Sequence, residues 1–155
     1  MIIETSIRIR APVETVWEVF SDLAGWDAWN EVCRECRIED GGELAAGTCF
    51  SFDLRPFAFP IRIAPRVTEN RPMERVVWEG SRLGVHAVHT FDFSRDGDAT
   101  VIHSREELSG PLLLPARLVG ATRRLHRLSD RLLEGIRDES ERRAQGSGSK
   151  ARAPG

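Results

Sequence analysis

The chain has 155 residues, a size typical of one globular domain, with 41% hydrophobic and 30% charged residues. Its net charge of −2 argues against nucleic-acid binding, since the aromatic residues are not interleaved with a basic patch either. No window approaches the ~18 apolar residues of a membrane-spanning helix, and no N-terminal run is typical of a secretory signal. We therefore expect a cytoplasmic protein with no membrane insertion and no nucleic-acid partner.

The N-terminal part predicts a strand followed by one or two short helices. Apolar and polar residues alternate from Ile3 to Ile9, which is the pattern of a half-buried strand. Pro12 suits a first helical turn, and apolar residues recur at helical spacing from Val13 to Leu23. A second short helix or turn is expected at 26–30.

The middle of the chain has the period of strands. Alternating apolar residues predict strands at 33–39, 48–54, 59–69, 75–81, 85–94 and 99–108. Pro60 and Pro65 indicate an edge or a bulge in the third of these. Turns are expected at 40–42 and 70–72, and the sequence Arg-Asp-Gly-Asp at 95–98 is typical of a hairpin.

The C-terminal part predicts one long amphipathic helix. Its apolar stripe consists of Leu118, Ala121, Thr122, Leu125, Leu128, Leu132, Leu133 and Ile136. The arginines beside the stripe are interpreted as a solvated face. Residues 145–155 have the composition of a linker and are expected to be disordered, which leaves a domain at 1–144.

The cysteines do not predict a disulfide framework or a metal site. There are three, Cys33, Cys36 and Cys49, and no second Cys or His pair completes four ligands. On a regular strand, Cys33 and Cys36 would point to opposite faces. We expect free structural thiols.

Together these elements predict an α+β fold. Successive strands with short connections favour a curved antiparallel sheet of about six to seven strands, and the long C-terminal helix is the obvious cover for its apolar face.

The order of the motifs resembles the helix-grip fold of the START-like (SRPBCC) superfamily, of the polyketide cyclase/dehydrase type. The resemblance rests on the strand and helix at 7–22, on Trp26, Trp29 and Asn30, on 66–69 and 76–80, and on the terminal hairpin at 89–110. It covers residues 2–140, with Leu108 in place of an aromatic residue at the exit of the hairpin. The resemblance implies an internal cavity for an apolar small molecule, but it implies no single reaction.

Strand parity selects the polar residues that face such a cavity. His89 shares the parity of Val85, Ala87, Phe91 and Phe93, and is expected to point inward, whereas His86 points outward. On the next strand, Ile102 and Leu108 bring Ser104 and Glu106 inward and leave His103 and Arg105 in solvent. His89 and Glu106 are the catalytic candidates, because a histidine and a buried carboxyl suit proton transfer next to a carbonyl group. They equally suit a pair that only satisfies its own hydrogen bonds.

The candidate ligand contacts are mainly aromatic. They are Trp26, Trp29, Phe50, Phe52, Trp78, Phe91, Ser104 and Leu125. The tryptophans suit stacking on a ring-shaped ligand, and they suit core packing equally well. No metal and no cofactor are expected, because the two rings of His86-x-x-His89 should point opposite ways and no phosphate loop or dinucleotide motif is present.

Three functions remain open at this point. The first is binding of a polyketide-like or aromatic molecule, with its cyclisation or dehydration by acid–base chemistry. The second is a non-catalytic carrier or sensor of lipids or hydrophobic metabolites. The third is an interaction module whose interior is filled by its own large side chains. Either a monomer or a homodimer is compatible with the sequence.

Overall fold

The computed structural model describes residues 1–39, 41–55, 59–113 and 120–150, and leaves the side chains of 148–150 out of the description. The described strands are β1 (Ile2–Ile9), β2 (Cys33–Ile38), β3 (Phe50–Leu54), β4 (Ile61–Ile63), β5 (Arg66–Arg71), β6 (Arg75–Arg82), β7 (Val85–Asp96) and β8 (Ala99–Ser109). The helices are α1 (Val13–Ser21), a short 3₁₀ helix (Leu23–Ala28) and α2 (Ala121–Lys150). The α+β class and the order of elements are those predicted from the sequence.

The strands form two antiparallel sheets instead of one. The large sheet has the order β1-β8-β7-β6-β5 and the small sheet the order β2-β3-β4, and an isolated bridge joins Cys49 to Arg66. The strand expected at 59–69 is divided before Arg66, where Pro65 has no N–H to offer a ladder. β4 therefore joins the small sheet and β5 the large one. The turn expected at 70–72 lies at 72–74.

The register of the large sheet aligns the polar candidates with apolar neighbours. Direct cross-strand partners place one row across five strands, namely Ile3, Glu106, His89, Trp78 and Val67. The next row holds Thr5, Ser104, Phe91 and Val76. Because direct partners share a face, both rows point to the same side of the sheet. The strand parity predicted from the sequence is therefore correct for β7 and β8.

Helix α2 packs against β1 and α1. Its buried residues recur at helical spacing, as an amphipathic helix requires, and are Ala121, Ser129, Leu132, Leu133, Ile136, Glu139 and Ser140. Thr5 Oγ1 donates a hydrogen bond to Asp130 Oδ1 at 2.7 Å, and the backbone N–H of Arg10 donates one to Glu141 Oε1 at 2.8 Å. These two bonds tie the helix to the middle and to the end of β1.

The end of α2 differs from the sequence prediction. The helix continues through residues 145–150, where a disordered tail is expected, and residues 151–155 lie outside the described residues. Leu118 of the predicted apolar stripe also lies outside them. The domain boundary at residue 144 stays a prediction.

A β-bulge in β2 changes the orientation of one cysteine. The register with β3 shifts between Arg34 and Arg37, and Glu35 between them has a φ of 52°. The extra residue turns Cys36 to the side of Cys33, and both are buried, at 5% and 4% exposure. The expectation that the two thiols face opposite sides is therefore wrong. All three cysteines are free.

Candidate functional site

An apolar cavity of about 310 Å³ has walls from both sheets and from the first turns of α2. This volume lies at the lower end of the range for small-molecule sites, roughly 300–1,000 Å³. Apolar side chains from five strands and the helix line it, including Phe52, Leu54, Ile61, Ile63, Trp78, Val85, Ala87, Leu108, Ala121 and Leu125. The interior is thus not filled by the large aromatic residues, which weakens the interpretation as an interaction module with a filled interior.

The cavity opens at one end of the large sheet. There it is lined by Ser81, Arg82 and Leu83 at the β6–β7 hairpin, and by Leu112 after β8, all of them exposed. The opposite end is closed by Trp78, His89 and Glu106. We refer to these two regions as the mouth and the inner end.

The inner end holds two ionisable side chains in an apolar setting. His89 Nε2 lies 2.7 Å from Ser104 Oγ, a distance that serves either ring tautomer because a hydroxyl both donates and accepts. The His89 ring stacks on Phe91 at 4.0 Å between centroids and meets the edge of Trp78 at 5.6 Å. No hydrogen bond or ion pair from the described residues reaches the Glu106 carboxyl.

Burial shifts both groups toward their uncharged forms. It raises the pKa of Glu106 to about 7 and lowers the pKa of His89 to about 3. Although each side chain keeps some surface toward the cavity, the surrounding protein atoms withhold water from it. Near neutral pH, His89 is therefore a neutral imidazole, while Glu106 exists as both carboxylic acid and carboxylate. A carboxyl with this pKa can take up and release a proton at neutral pH.

The structure brings five of the ten predicted site residues to the cavity. They are His89, Glu106, Phe52, Trp78 and Leu125. Ser104 is buried behind His89, which it contacts. Its role and those of the other predicted residues as ligand contacts stay predictions.

The remaining four predicted residues do not line the cavity, because their rings pack against other residues of the protein. Trp26, Phe50 and Phe91 are fully buried in the core, and Trp26 Nε1 donates to the carbonyl oxygen of Phe20 at 3.0 Å. Trp29 packs against Trp26 and lies close to Gly135 of α2.

The sequence prediction missed several lining residues. Leu54 shares strand parity with the predicted Phe52, and Ile61 and Ile63 form the apolar set of their own strand, so a signal was present for all three. Met1 and Leu112 lie outside regular elements of the described chain, and no local pattern points to them. Their positions depend on the tertiary fold, which brings both residues to the same end of the large sheet.

The other histidines lie away from the inner end. His86 Nδ1 lies 2.9 Å from Ser81 Oγ and its other ring nitrogen lies 3.9 Å from a Glu79 carboxylate oxygen, while His103 is exposed. Across the described residues, no group of three or more His, Cys, Asp or Glu side chains is arranged to hold a metal ion. No helix in the described chain is long and apolar enough to cross a membrane.

One comparison with known proteins identifies a family. The model of the family described as "Polyketide cyclase / dehydrase and lipid transport" matches residues 1–141. No curated protein matches the chain in sequence.

Solved structures with the same fold are distant in sequence. The Zhui aromatase/cyclase from Streptomyces sp. R1128 superposes with a TM-score of 0.78 at 16% identity, over 96% of this chain and 98% of that one. A START superfamily protein from Mycobacterium smegmatis gives 0.66 at 18% identity, over 94% and 97%. One half of the di-domain aromatase/cyclase StfQ of the steffimycin biosynthetic pathway gives 0.68 at 15% identity, over 92% and 46%. At these identities the likeness establishes the helix-grip fold and nothing finer.

Proposed function

Because this chain belongs to the polyketide cyclase / dehydrase and lipid transport family, we propose that it binds an apolar small molecule in its cavity and cyclises or dehydrates it by acid–base chemistry. Glu106 transfers the protons and His89 orients the reacting carbonyl group. Phe52, Trp78 and Leu125 provide the apolar contacts.

One observation carries this proposal: a carboxyl with a pKa of about 7 faces an apolar cavity, has no hydrogen bond or ion pair from the described residues, and has the buried Cys33 thiol as an electrostatic neighbour. A buried carboxyl that serves only the fold normally has hydrogen bonds or a cation, because an unpaired one lowers stability. Perturbed groups of this kind concentrate at functional sites. Glu106 is thus better explained by chemistry than by packing.

Ring closure by this site needs no group beyond the chain's own residues. The Glu106 carboxylate removes a proton from a carbon next to a carbonyl, and the resulting enolate carbon bonds to a second carbonyl carbon. The protonated Glu106 returns that proton to the second carbonyl oxygen, which becomes a hydroxyl. Removal of another α-proton by Glu106, and its delivery to the leaving hydroxyl, releases water and forms a double bond.

His89 has a supporting task in this scheme. When the Ser104 hydroxyl donates to Nε2, the Nδ1–H of the neutral ring is free to donate to a substrate carbonyl oxygen. A neutral imidazole suits this, since its charged form is disfavoured by burial. The walls of the cavity then hold the flexible substrate in a conformation that brings the reacting carbons together.

The comparisons with solved structures also support a cyclase function. Two of the similar structures are named aromatase/cyclases, and those names apply to those proteins. The alternative is a non-catalytic carrier, which the family description also allows and which the pairing of His89 with Ser104 favours. In a carrier, His89 and Glu106 only position a polar group of the cargo.

Binding and turnover measured separately distinguish the two functions. Binding is measured with N-phenyl-1-naphthylamine, a neutral apolar fluorophore, and turnover with a linear poly-β-keto thioester whose aromatic product absorbs in the near ultraviolet. We expect Leu125→Trp to reduce binding by filling the cavity, and Glu106→Gln to preserve binding while it lowers turnover by 10²-fold or more, the range typical of a lost general base.

Glu107→Gln is the matched control, because Glu107 is the next residue of β8 and lies on the opposite, exposed face. Binding without turnover by the wild type on a panel of such thioesters would assign the carrier function. Absence of binding would exclude both functions.

A further inference from the structure

Arg82 is the one cationic side chain among the described residues that line the cavity, and it lies at the mouth. On β6, Arg82 shares strand parity with Trp78, which closes the inner end, so its side chain leaves the sheet on the cavity side. Its direct cross-strand partner, Val85, also lines the cavity. Arg82 therefore belongs to the cavity face of the large sheet, although its side chain is exposed to solvent.

The hairpin turn that follows Arg82 holds this residue in register with β7. Leu83 has a φ of 50° and Gly84 a φ of 70°, so both residues of the turn are left-handed. A two-residue turn of this kind matches the twist of the strands that it joins, and the pairing continues to Arg82 and Val85 at the end of the ladder. Regular strand geometry thus fixes where Arg82 lies relative to the inner end.

The cavity consequently has opposite charges at its two ends. Trp78 and Arg82 are four residues apart on β6, which places the backbone of Arg82 about 13 Å from the inner end. Glu106 is the one acidic side chain in the described lining, and it lies at the inner end. The row between the two ends is apolar, with the direct partners Ala87 and Leu108 on the cavity side.

These charges favour one orientation for a ligand that has an acidic end. Within the described residues, no acidic side chain forms an ion pair with Arg82. Its guanidinium group has a fork of N–H donors that fits a carboxylate, and at the mouth such a carboxylate keeps part of its water. At the inner end, the same group would lose its water and would meet the Glu106 carboxyl instead of a cation.

We propose that the ligand is an elongated keto acid, which binds with its carboxylate at Arg82 and its carbonyl group at the inner end. His89 donates to that carbonyl oxygen, and the apolar chain lies against Ala87 and Leu108. A carboxylate suits the mouth better than a phosphate monoester, because one arginine balances a single charge but not the roughly −1.5 to −2 of the phosphate. The inference rests on the ligand-binding part of the proposed function and does not require proton transfer by Glu106.

A matched pair of binding probes tests the charge. 9-Oxodecanoic acid and 9-oxodecanamide share one chain and one ketone, and at pH 7.5 they differ in the charge of the other end. Their affinities for the full chain are measured by displacement of N-phenyl-1-naphthylamine. We expect the wild type to bind the acid about fivefold more tightly than the amide, the effect of an ion pair at a protein surface, and this preference to shrink as salt increases.

Variants of Arg82 assign the preference to this residue. Arg82→Gln should remove it by weakening the binding of the acid alone, and Arg82→Glu should reverse it, because a carboxylate at the mouth repels the acid. Arg127→Gln is the matched control. Arg127 is exposed and, two residues after Leu125, lies on the opposite side of α2, so this variant removes the same charge without changing the mouth and should keep the preference.

The ketone of the acid reports the orientation. With carbon-13 at this position, a hydrogen bond from His89 should shift the carbonyl resonance when the acid binds. His89→Phe keeps a ring and removes the donor, so it should abolish this shift. Arg82→Gln should weaken binding but keep the shift in the bound state, since the ketone still lies at the inner end.

Three results overturn the proposal and leave the proposed function intact. They are equal affinities of the wild type for the acid and the amide, an equal loss of preference in Arg82→Gln and Arg127→Gln, and a ketone resonance that His89→Phe does not change. Failure of both probes to displace a fluorophore that does bind would overturn it as well. If the fluorophore also fails to bind, the proposed function fails together with this inference.

Discussion

The two ends of the cavity place side chains in opposite kinds of unfavourable surroundings. At the inner end, Glu106 and His89 are ionisable groups that protein atoms surround. At the mouth, Leu83 and Leu112 are apolar groups that water surrounds. Each arrangement lowers stability relative to its reverse, since polar groups favour water and apolar groups favour the interior.

At both ends of the cavity, the side chains differ from those that would make the fold most stable. The inner end is supported by a dense cluster of rings, whereas the mouth is supported by a two-residue turn. Phe20 alone contacts the rings of Trp17, Trp26, Trp78, Phe91 and Phe93. Rigid packing suits a site that positions reacting atoms, and a thin hairpin suits a surface that meets a partner.

The largest expected effect is on stability at the inner end. Phe20 is fully buried, so Phe20→Ala should lower the free energy of unfolding by about 3–5 kcal/mol through lost burial and the cavity it leaves. Leu112→Ala at the mouth should change it by less than about 0.5 kcal/mol. Chemical denaturation monitored by tryptophan fluorescence measures both. Similar losses in the two variants would contradict the contrast between the two ends.

The next largest effect, of a few kcal/mol, is on how the free energy of unfolding depends on pH. Single substitutions of Glu106 and His89 reveal it. The pKa of Glu106 is raised from 4.5 to about 7, so the folded state binds the extra proton and stability decreases as pH rises from about 4.5 to 7. The pKa of His89 is lowered from 6.5 to about 3, so the unfolded state binds the extra proton and stability decreases as pH falls from 6.5 toward 3. Between about pH 4.5 and 6.5 the two slopes cancel.

Variants at the inner end should therefore have opposite slopes relative to the wild type. Between pH 4.5 and 6.5, Glu106→Gln should gain stability with rising pH and His89→Gln should lose it, each by about 1.4 kcal/mol per pH unit. Urea denaturation at four pH values measures the slopes. His103→Gln is the control, because His103 is exposed on the outer face of β8. Parallel curves for all variants would mean that burial does not shift these two groups.

The sequence predicted the inner end better than the mouth, for a physical reason. His89, Ser104 and Glu106 lie on long regular strands, where the alternation of side chains fixes the face without knowledge of the rest of the fold. The same rule failed at Cys36, because the bulge at Glu35 adds one residue and reverses the face after it. Nothing in the local sequence around Glu35 distinguishes such a bulge from a regular strand.

Of the aromatic candidates, Phe52 and Trp78 line the cavity, and their role as ligand contacts stays a prediction. Trp26, Phe50 and Phe91 have the composition of a ring-binding site, yet tertiary packing places them in the core, and composition cannot separate these two uses. The mouth was not predicted at all. Leu83 lies between the strands predicted at 75–81 and 85–94, and the sequence alone shows neither its left-handed backbone nor its exposure.

The smallest expected effect tests whether the backbone at Leu83 is strained. Leu83→Asn should raise the free energy of unfolding by about 1 kcal/mol, because asparagine occupies the left-handed region more readily than leucine. Gly84→Ala should lower it by at least a similar amount, since its φ is 70° and the added methyl group would lie 3.3 Å from the Leu112 side chain. Differential scanning calorimetry resolves both changes. A stabilised Leu83→Asn protein would mean that the native leucine is kept against the preference of the fold, which is what a surface selected for contact requires. A less stable Leu83→Asn protein would mean that packing of Leu83 against Leu112 stabilises the fold. That result would contradict the contrast between the mouth and the inner end.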